Sequence, residues 1–291
     1  MVRVKPIKTL DTLVEDIYKE ISKISEGQTL EVSEEELDSF AEGMKSAMRQ
    51  WLVPREVKKP YLRMSNIGRP ERQLWYDMKT DPKKNIVGPS TQIKFLYGHL
   101  LEEVVLFLVR LSGHTITDQQ KEVTVDGIKG HMDCKIDGEV VDIKSASNFA
   151  FRKFSHGTLA DKDSFGYLAQ LSAYEEAEQT TGGGFLAINK ESGELSFFKP
   201  QSLDKPNVPA KIKVLRQQLE EYSPPARCYT PIPDGKFGNL KLPSECGWCA
   251  HKHVCHSDAN NGKGLRTFKY SKGFTYLTKV VRVPRVDEIA A

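Results

Sequence analysis

Two aspartates and a lysine lie close together near the middle of this chain, in the run GHMDCKIDGEVVDIKSAS at 130–147. Asp133 precedes Asp142 by nine residues, and Lys144 follows Asp142 by two. Between them stand a strand-like stretch from Met132 to Ile136, an Asp137-Gly138 pair, and a second strand-like stretch from Glu139 to Lys144. Aspartate-glycine between two apolar-alternating runs predicts a hairpin, with Asp137 purely structural in its turn. Folded this way, Asp133 and Asp142 converge across the hairpin, and Lys144 shares a face with Asp142. Two carboxylates and an ammonium so placed can form a divalent-metal and phosphate site.

The elements that would position them follow from periodicity. Leu10, Leu13, Ile17, Ile21 and Ile24 recur at helical spacing, as core or partner contacts. Ser33 with Glu36 makes a capping box ahead of Leu37, Phe40, Met44, Met48 and Trp51. A Pro- and Lys-containing joint, Pro54 to Pro60, comes next. The pattern then predicts a long helix at about 91–112 and strands at 121–126, 128–136 and 139–144. A helix at about 164–179, strands at 183–189 and 194–199, and a helix at about 208–222 follow. Helix, β-meander, helix and strands predict an α/β fold with a mixed central sheet flanked by helices. The expected divisions are an N-terminal helical region at 1–60, a core at 61–222, and a Cys-rich region with a basic tail at 223–291.

The chain has 291 residues, 39% hydrophobic and 28% charged, ordinary for a globular protein. No apolar run approaches the roughly 18 residues of a membrane span, and the N-terminus lacks a signal-peptide core. An intracellular, cytoplasmic protein without membrane contact is expected. A net charge of +3 does not announce nucleic-acid binding, but its distribution is uneven. From Lys263 to Arg285 there are seven Lys/Arg and no acid, interleaved with Phe268, Tyr270, Phe274 and Tyr276. Such a stretch suits a nucleic-acid backbone with stacked bases, and equally a solvated hairpin. Four of the five cysteines, Cys228, Cys246, Cys249 and Cys255, cluster late, which in an intracellular chain indicates metal before disulfide.

Further pieces flank the central hairpin. Gly98–Glu102 gives G-x-x-x-E, Gly130–Asp133 gives G-x-x-D, Asp142–Lys144 gives D-I-K, and Gln170–Tyr174 gives Q-x-x-x-Y. Together these resemble the RecB-like exonuclease branch of the PD-(D/E)XK nuclease superfamily. That branch includes CRISPR-associated adaptation exonucleases and phage-encoded relatives. Arg69–Tyr76, RPERQLWY, resembles the branch's Cys-Pro-Arg-x-Leu-Trp-Tyr segment, so the likeness spans 65–255. Each piece alone is weak, and four in order are strong.

The resemblance implies a restriction-endonuclease-like core and a DNA exonuclease using Mg²⁺ or Mn²⁺, in recombination, repair or phage DNA processing, in a bacterial or phage-infected cell. Glu102, Asp133 and Asp142 would be metal ligands, with the Ile143 carbonyl as a fourth and His99 within reach. Lys144 would position the attacking water or stabilise the phosphorane. Gln170 and Tyr174 would orient Lys144 or touch the DNA backbone. Ser65 and Arg72 resemble a terminal-phosphate contact, and Ser145, Lys269 and Lys272 are further expected DNA contacts. Glu103 competes with Glu102, but adjacent helical residues point about 100° apart, and the G-x-x-x-E spacing favours Glu102. The alternatives are an endonuclease of the same superfamily and a non-catalytic DNA-binding or assembly module. The N-terminal helices could serve oligomerisation or a recombination or replication partner.

Cys246-x2-Cys249-x5-Cys255 matches the C-terminal triple of relatives that hold a [4Fe–4S] cluster. There the fourth thiolate comes from the upstream Cys-Pro-Arg segment, where this chain has Pro70. Cys228 is the local replacement, and four local thiolates favour structural Zn²⁺, with [4Fe–4S] as the alternative. His251, His253 and His256 are alternative nitrogen ligands. Cys134 should point opposite to Asp133, into the core.

Overall fold

A computed structural model describes residues 8–54, 59–80 and 88–289. Residues 55–58, within the Pro54–Pro60 joint, lie outside the described residues. The principal helices are α1 (Leu13–Ser25), α2 (Glu34–Leu52), α3 (Glu71–Lys79), α4 (Pro89–Leu111), α5 (Asn148–Ser155), α6 (Tyr167–Glu178) and α7 (Val208–Glu220). The strands are β1 (Ile116–Thr117), β2 (Glu122–Val125), β3 (Ile128–His131), β4 (Cys134–Ile136), β5 (Glu139–Ala146), β6 (Gly184–Asn189) and β7 (Leu195–Phe198). Later in the chain come β8 (Ile232–Asp234), β9 (Asn239–Lys241), β10 (Arg266–Tyr270), β11 (Gly273–Lys279) and β12 (Glu288–Ile289). No described helix is long and apolar enough to cross a membrane.

The chain divides into two compact units. One comprises Met1–Gly68 and Pro82–Lys213, and the other Arg69–Asp81 and Val214–Ala291. The sequence pattern suggested breaks near 60 and 222 instead.

The first unit is built on a mixed sheet, ordered β1-β4-β5-β6-β7. Only β5 and β6 run parallel, linked through α5 and α6, and the remaining pairs are antiparallel. All six residues of β6 are buried, as are Val140, Val141, Asp142 and Ile143 of β5, which is the pattern of strands covered on both faces. Leu13 and Ile17 of α1 and Val105, Leu106 and Val109 of α4 pack with Cys134, Val141, Ile143 and Leu186 in one core cluster. The apolar stripe of α1 is therefore spent on the core as far as Ile21, while Ile24 is exposed. Helix α2 opens with the expected capping box: Glu36 N–H donates to Ser33 Oγ (3.2 Å), and Ser33 N–H to Glu36 Oε2 (3.0 Å). Its Phe40 ring meets Phe107 of α4 at 5.1 Å.

The Asp137-Gly138 hairpin forms between β4 and β5, with both turn residues at positive φ, 50° and 89°. Asp137 also takes structural bonds, accepting the Thr115 N–H (3.0 Å) and pairing with His114 Nδ1 (2.6 Å). The single strand expected at 128–136 is instead two. β3 pairs with β2, β4 pairs with β5, and Met132 and Asp133 form the break between them. There the backbone changes partners: Met132 N–H donates to Lys121 O (3.1 Å), and Asp133 O accepts Gln120 N–H (2.9 Å).

In the second unit an antiparallel sheet runs β12-β10-β11-β9-β8. The basic tail thus forms the central hairpin of a sheet. Of its four aromatics, only Phe274 is strongly exposed. Phe268 is fully buried, Tyr270 donates to Asp234 Oδ2 (2.6 Å), and Tyr276 packs edge-on to His253. Helix α3 belongs here: Trp75 Nε1 donates to Glu221 O (3.1 Å), and Gln218 Nε2 to Glu71 Oε2 (2.6 Å).

Candidate functional site

The β4–β5 register pairs Cys134 with Val141, which sets Asp133, one residue earlier, opposite Asp142. Cys134 itself faces the core, fully buried. Asp142 and Lys144 alternate with Val141 and Ile143 along β5, so their side chains leave the sheet on the face away from that core cluster. Asp133 Oδ2 accepts the Ile143 N–H at 2.7 Å. Lys144 Nζ forms an ion pair with Asp142 Oδ2. Gln170 Nε2 reaches Asp142 Oδ1 (3.4 Å) and Tyr174 Oη (3.2 Å), and Tyr174 Oη donates to His131 O (2.8 Å). The two α6 residues thus brace Asp142 and are anchored on the strand before Asp133.

Glu102, on α4, completes the cluster and accepts Gln120 Nε2 at 2.8 Å. Its carboxyl is pushed up to about 7 by burial, and further by the negative charges of Glu103 and Asp142. The neighbouring Glu103 carboxylate lies against Gly43 of α2, so the two acids diverge as helical geometry requires. Asp133 is raised well above the usual carboxylate range by burial, then by Asp142 and Glu102. Burial works against the charge on Lys144, but Asp142 and Asp133 outweigh it and lift its pKa above the ordinary lysine value. Burial, then Asp142, also raises Tyr174. Three carboxylates and one ammonium from α4, the β3–β4 break and β5 therefore share one electrostatic environment.

The two motif glycines differ in what they do. A Cβ on Gly130 would stand 2.7 Å from Met64 Cβ and 2.8 Å from Tyr174 Cε1, so only glycine admits the Tyr174 ring there. Gly98 is less confined, with Ser145 Oγ at 3.7 Å from such a Cβ. His99 stands one turn before Glu102 on α4, and Ser65 is exposed in the turn after the 59–63 segment.

Three residues here were not singled out in the sequence: Gln120, which holds Glu102; Tyr167, whose ring lies 4.7 Å from Lys144 Nζ; and Asp163, which caps α6. Tyr167 was within reach, since Tyr167, Gln170 and Tyr174 lie at i, i+3 and i+7 on one helical face. Gln120 carries no local signal.

The donor chemistry fits a hard divalent cation. Asp142 Oδ2 is buried and accepts no well-oriented hydrogen bond, although Lys144 Nζ lies beside it, and the surrounding acids are all oxygen donors. Among the described residues, no group of three or more His, Cys, Asp or Glu is already gathered as a metal site.

In the second unit, Cys228, Cys246, Cys249 and Cys255 line one cavity of about 40 Å³, together with Arg72 and Pro70. Cys228 is exposed and the other three are half-buried. Burial pushes the Cys246 thiol up to about 12, helped by Cys249, Cys255 and Cys228. Arg72 is engaged in this cavity. Its Nε faces Cys255 Sγ at 3.1 Å, Nη1 binds Pro225 O, and Nη2 reaches Tyr76 Oη at 3.4 Å. His251 Nε2 pairs with Asp77 Oδ1 at 2.6 Å. Lys269, on β10, and Lys272, in the β10–β11 turn, are exposed.

No family model and no curated protein matches the chain. Among solved structures, SSO0001 is similar at 16% identity and TM-score 0.37, covering 72% of this chain and 92% of its own. An alkaline exonuclease (LHK-Exo) from Laribacter hongkongensis is similar at 13% identity and TM-score 0.39, covering 59% of this chain and 92% of its own. At such scores neither likeness carries an argument, and the functional case rests on the residues.

Proposed function

We propose that this chain is a divalent-metal-dependent DNA nuclease of the PD-(D/E)XK type, in the RecB-like branch, that removes nucleotides from DNA ends. One observation carries the proposal: Asp133 stands opposite Asp142 across the β4–β5 pair, the buried Asp142 is ion-paired with Lys144, and Glu102 of α4 is near enough to feel the charge of Asp142. Surface acids and lysines have no reason to converge in this way, and burying them uncompensated is costly.

Glu102, Asp133 and Asp142 would hold Mg²⁺ or Mn²⁺, with the Ile143 carbonyl and His99 as further donors. Bound there, the ion would polarise the phosphodiester and neutralise charge that develops on it. The chain's own groups do the rest. Lys144 keeps its proton, because Asp142 and Asp133 hold it charged, so its ammonium can donate to a phosphoryl oxygen or orient the attacking water. Asp142 aims that ammonium, Gln170 fixes Asp142, and Tyr174 fixes Gln170. Positioning of this kind suits phosphoryl transfer, where charge stabilisation and alignment dominate.

Ser65, Arg72, Ser145, Lys269 and Lys272 are proposed DNA contacts. The preference for ends rests on the family resemblance, since the same catalytic groups serve endonucleases. The four late cysteines are proposed to bind a structural Zn²⁺, or alternatively a [4Fe–4S] cluster, that staples the second unit together. Pro70 on the cavity wall, in place of a thiol, favours zinc. Recombination, repair or phage DNA processing in the cytoplasm is the proposed setting.

The test compares end-labelled linear DNA, single- and double-stranded, with closed circles, in Mg²⁺, Mn²⁺ or EDTA. Metal-dependent loss of label from linear DNA with circles intact is the expected result. Cutting of circles would replace the exonuclease by an endonuclease. DNA binding without cleavage under every condition would contradict the enzyme and favour a binding module.

A further inference from the structure

Beside Lys144 the aromatic residues form a stack that runs from the core to solvent. Lys144 Nζ stands 4.7 Å from the centroid of the Tyr167 ring. Phe165 lies nearly parallel to Tyr167, centroids 5.5 Å apart at 16°. On its inner side Tyr167 rests against buried Phe154 (6.3 Å) and Phe185 (6.2 Å). The outermost ring, Phe165, is 62% exposed.

The backbone beneath this stack is fixed. Asp163 accepts the N–H groups of Gly166, Tyr167 and Leu168 at 2.9, 2.9 and 2.8 Å, capping α6. Gly166, at φ 78°, meets the backbone of Gly68 so closely that no side chain fits at either position. A lone exposed phenylalanine needs no explanation. This one is pre-stacked on the ring that underlies the Lys144 ammonium, and its pedestal is hydrogen-bonded and closely packed.

We propose that Phe165 is a stacking platform for an unpaired DNA base adjacent to the phosphate held at Lys144. The preferred substrate is then a strand that is single-stranded, or frayed, where it is cut. This rests on the nuclease proposal above. The ammonium supplies the charge complementary to the phosphate, and the two short steps to Phe165 let one nucleotide span both groups. A base still paired in a duplex has its faces covered by its neighbours and must unstack to use the platform. Every base has a π-face, so the platform is indifferent to sequence.

The experiment pairs a protein change with a substrate change. Single-turnover cleavage in Mn²⁺ is measured on single strands carrying ordinary bases, or an abasic site at each of the terminal positions in turn. Wild type is compared with Phe165→Ala and Phe165→Trp. Phe165→Ala is expected to slow the ordinary strand on the order of tenfold, within about 5- to 100-fold. For wild type, one abasic position should cost about as much. The two losses should not multiply when combined, and Phe165→Trp should restore the rate. An unchanged rate in Phe165→Ala, or a loss equally large on every abasic strand, would overturn the proposal. Should wild type cleave nothing, the nuclease proposal fails separately. Stacking is then read in EDTA from 2-aminopurine near the strand end, where quenching by wild type but not by Phe165→Ala supports the platform and equal quenching refutes it.

Discussion

The carboxylate cluster of the first unit and the thiol cavity of the second each gather groups that repel one another once ionised, yet they handle that repulsion differently. The carboxylates come with a cation of their own: Lys144 pairs with Asp142 and is held charged by Asp142 and Asp133. The residual strain appears as the raised Glu102 and Asp133. The thiols lie near Arg72 and Arg227, yet burial with mutual repulsion pushes Cys246 up to about 12. The oxygen site therefore holds one ion pair of its own before any metal arrives, whereas the sulfur site becomes ionic only when a metal displaces its protons. Metal removal should consequently silence the first and destabilise the second.

Breaking the internal cation is the severest test. Lys144→Ala should lower the single-turnover rate by about 10²–10³-fold or more, the scale for losing one preorganised charge donor. A rate within a few-fold of wild type would remove Lys144 from the chemistry.

On the sulfur side, Cys246→Ser should abolish the bound zinc or iron measured by elemental analysis and lower the melting temperature, while Cys134→Ser, altering a core thiol outside the cavity, should leave metal content intact. Equal metal content in wild type and Cys246→Ser would end the cysteine-site proposal.

The raised Glu102 gives a pH signature in EDTA. The folded protein binds this proton more tightly than the unfolded chain does, so stability falls as pH rises from about 4.5 to about 7 and is level above. Glu102→Gln should be more stable than wild type above pH 7, by about 3 kcal/mol, and should lose that advantage towards pH 4.5. A difference between the two proteins that does not vary with pH would contradict the clustered geometry.

A gentler change tests the scaffold without altering charge. Gly130→Ala forces Cβ against Met64 and Tyr174 and should cost about 1–3 kcal/mol in urea unfolding, loosening the Tyr174–Gln170–Asp142 brace.

What could be read from the sequence follows from how local each signal is. The Asp137-Gly138 turn, the Ser33 capping box and the long apolar helix around Val105 are written in consecutive residues, and they form as expected. The break at Met132-Asp133 was illegible, because apolar alternation runs on through 128–136 while the backbone partner changes from the segment near Lys121 to β5. The C-terminal sheet was equally hidden, since β8, β9 and β12 are two or three residues long and form only through partners distant in sequence. The same holds for Arg72: its motif suggests a DNA contact, but Cys255 and Pro225, which engage its guanidinium, lie more than 150 residues away.

The most direct test of the central claim is the rate of label release from linear DNA as Mn²⁺ is titrated into wild type and Asp142→Ala. A saturable, Mn²⁺-dependent rate in wild type, absent from Asp142→Ala at every concentration, is the predicted result. Cleavage that is independent of Mn²⁺, or that survives in Asp142→Ala, would contradict a metal-dependent site built on Glu102, Asp133, Asp142 and Lys144.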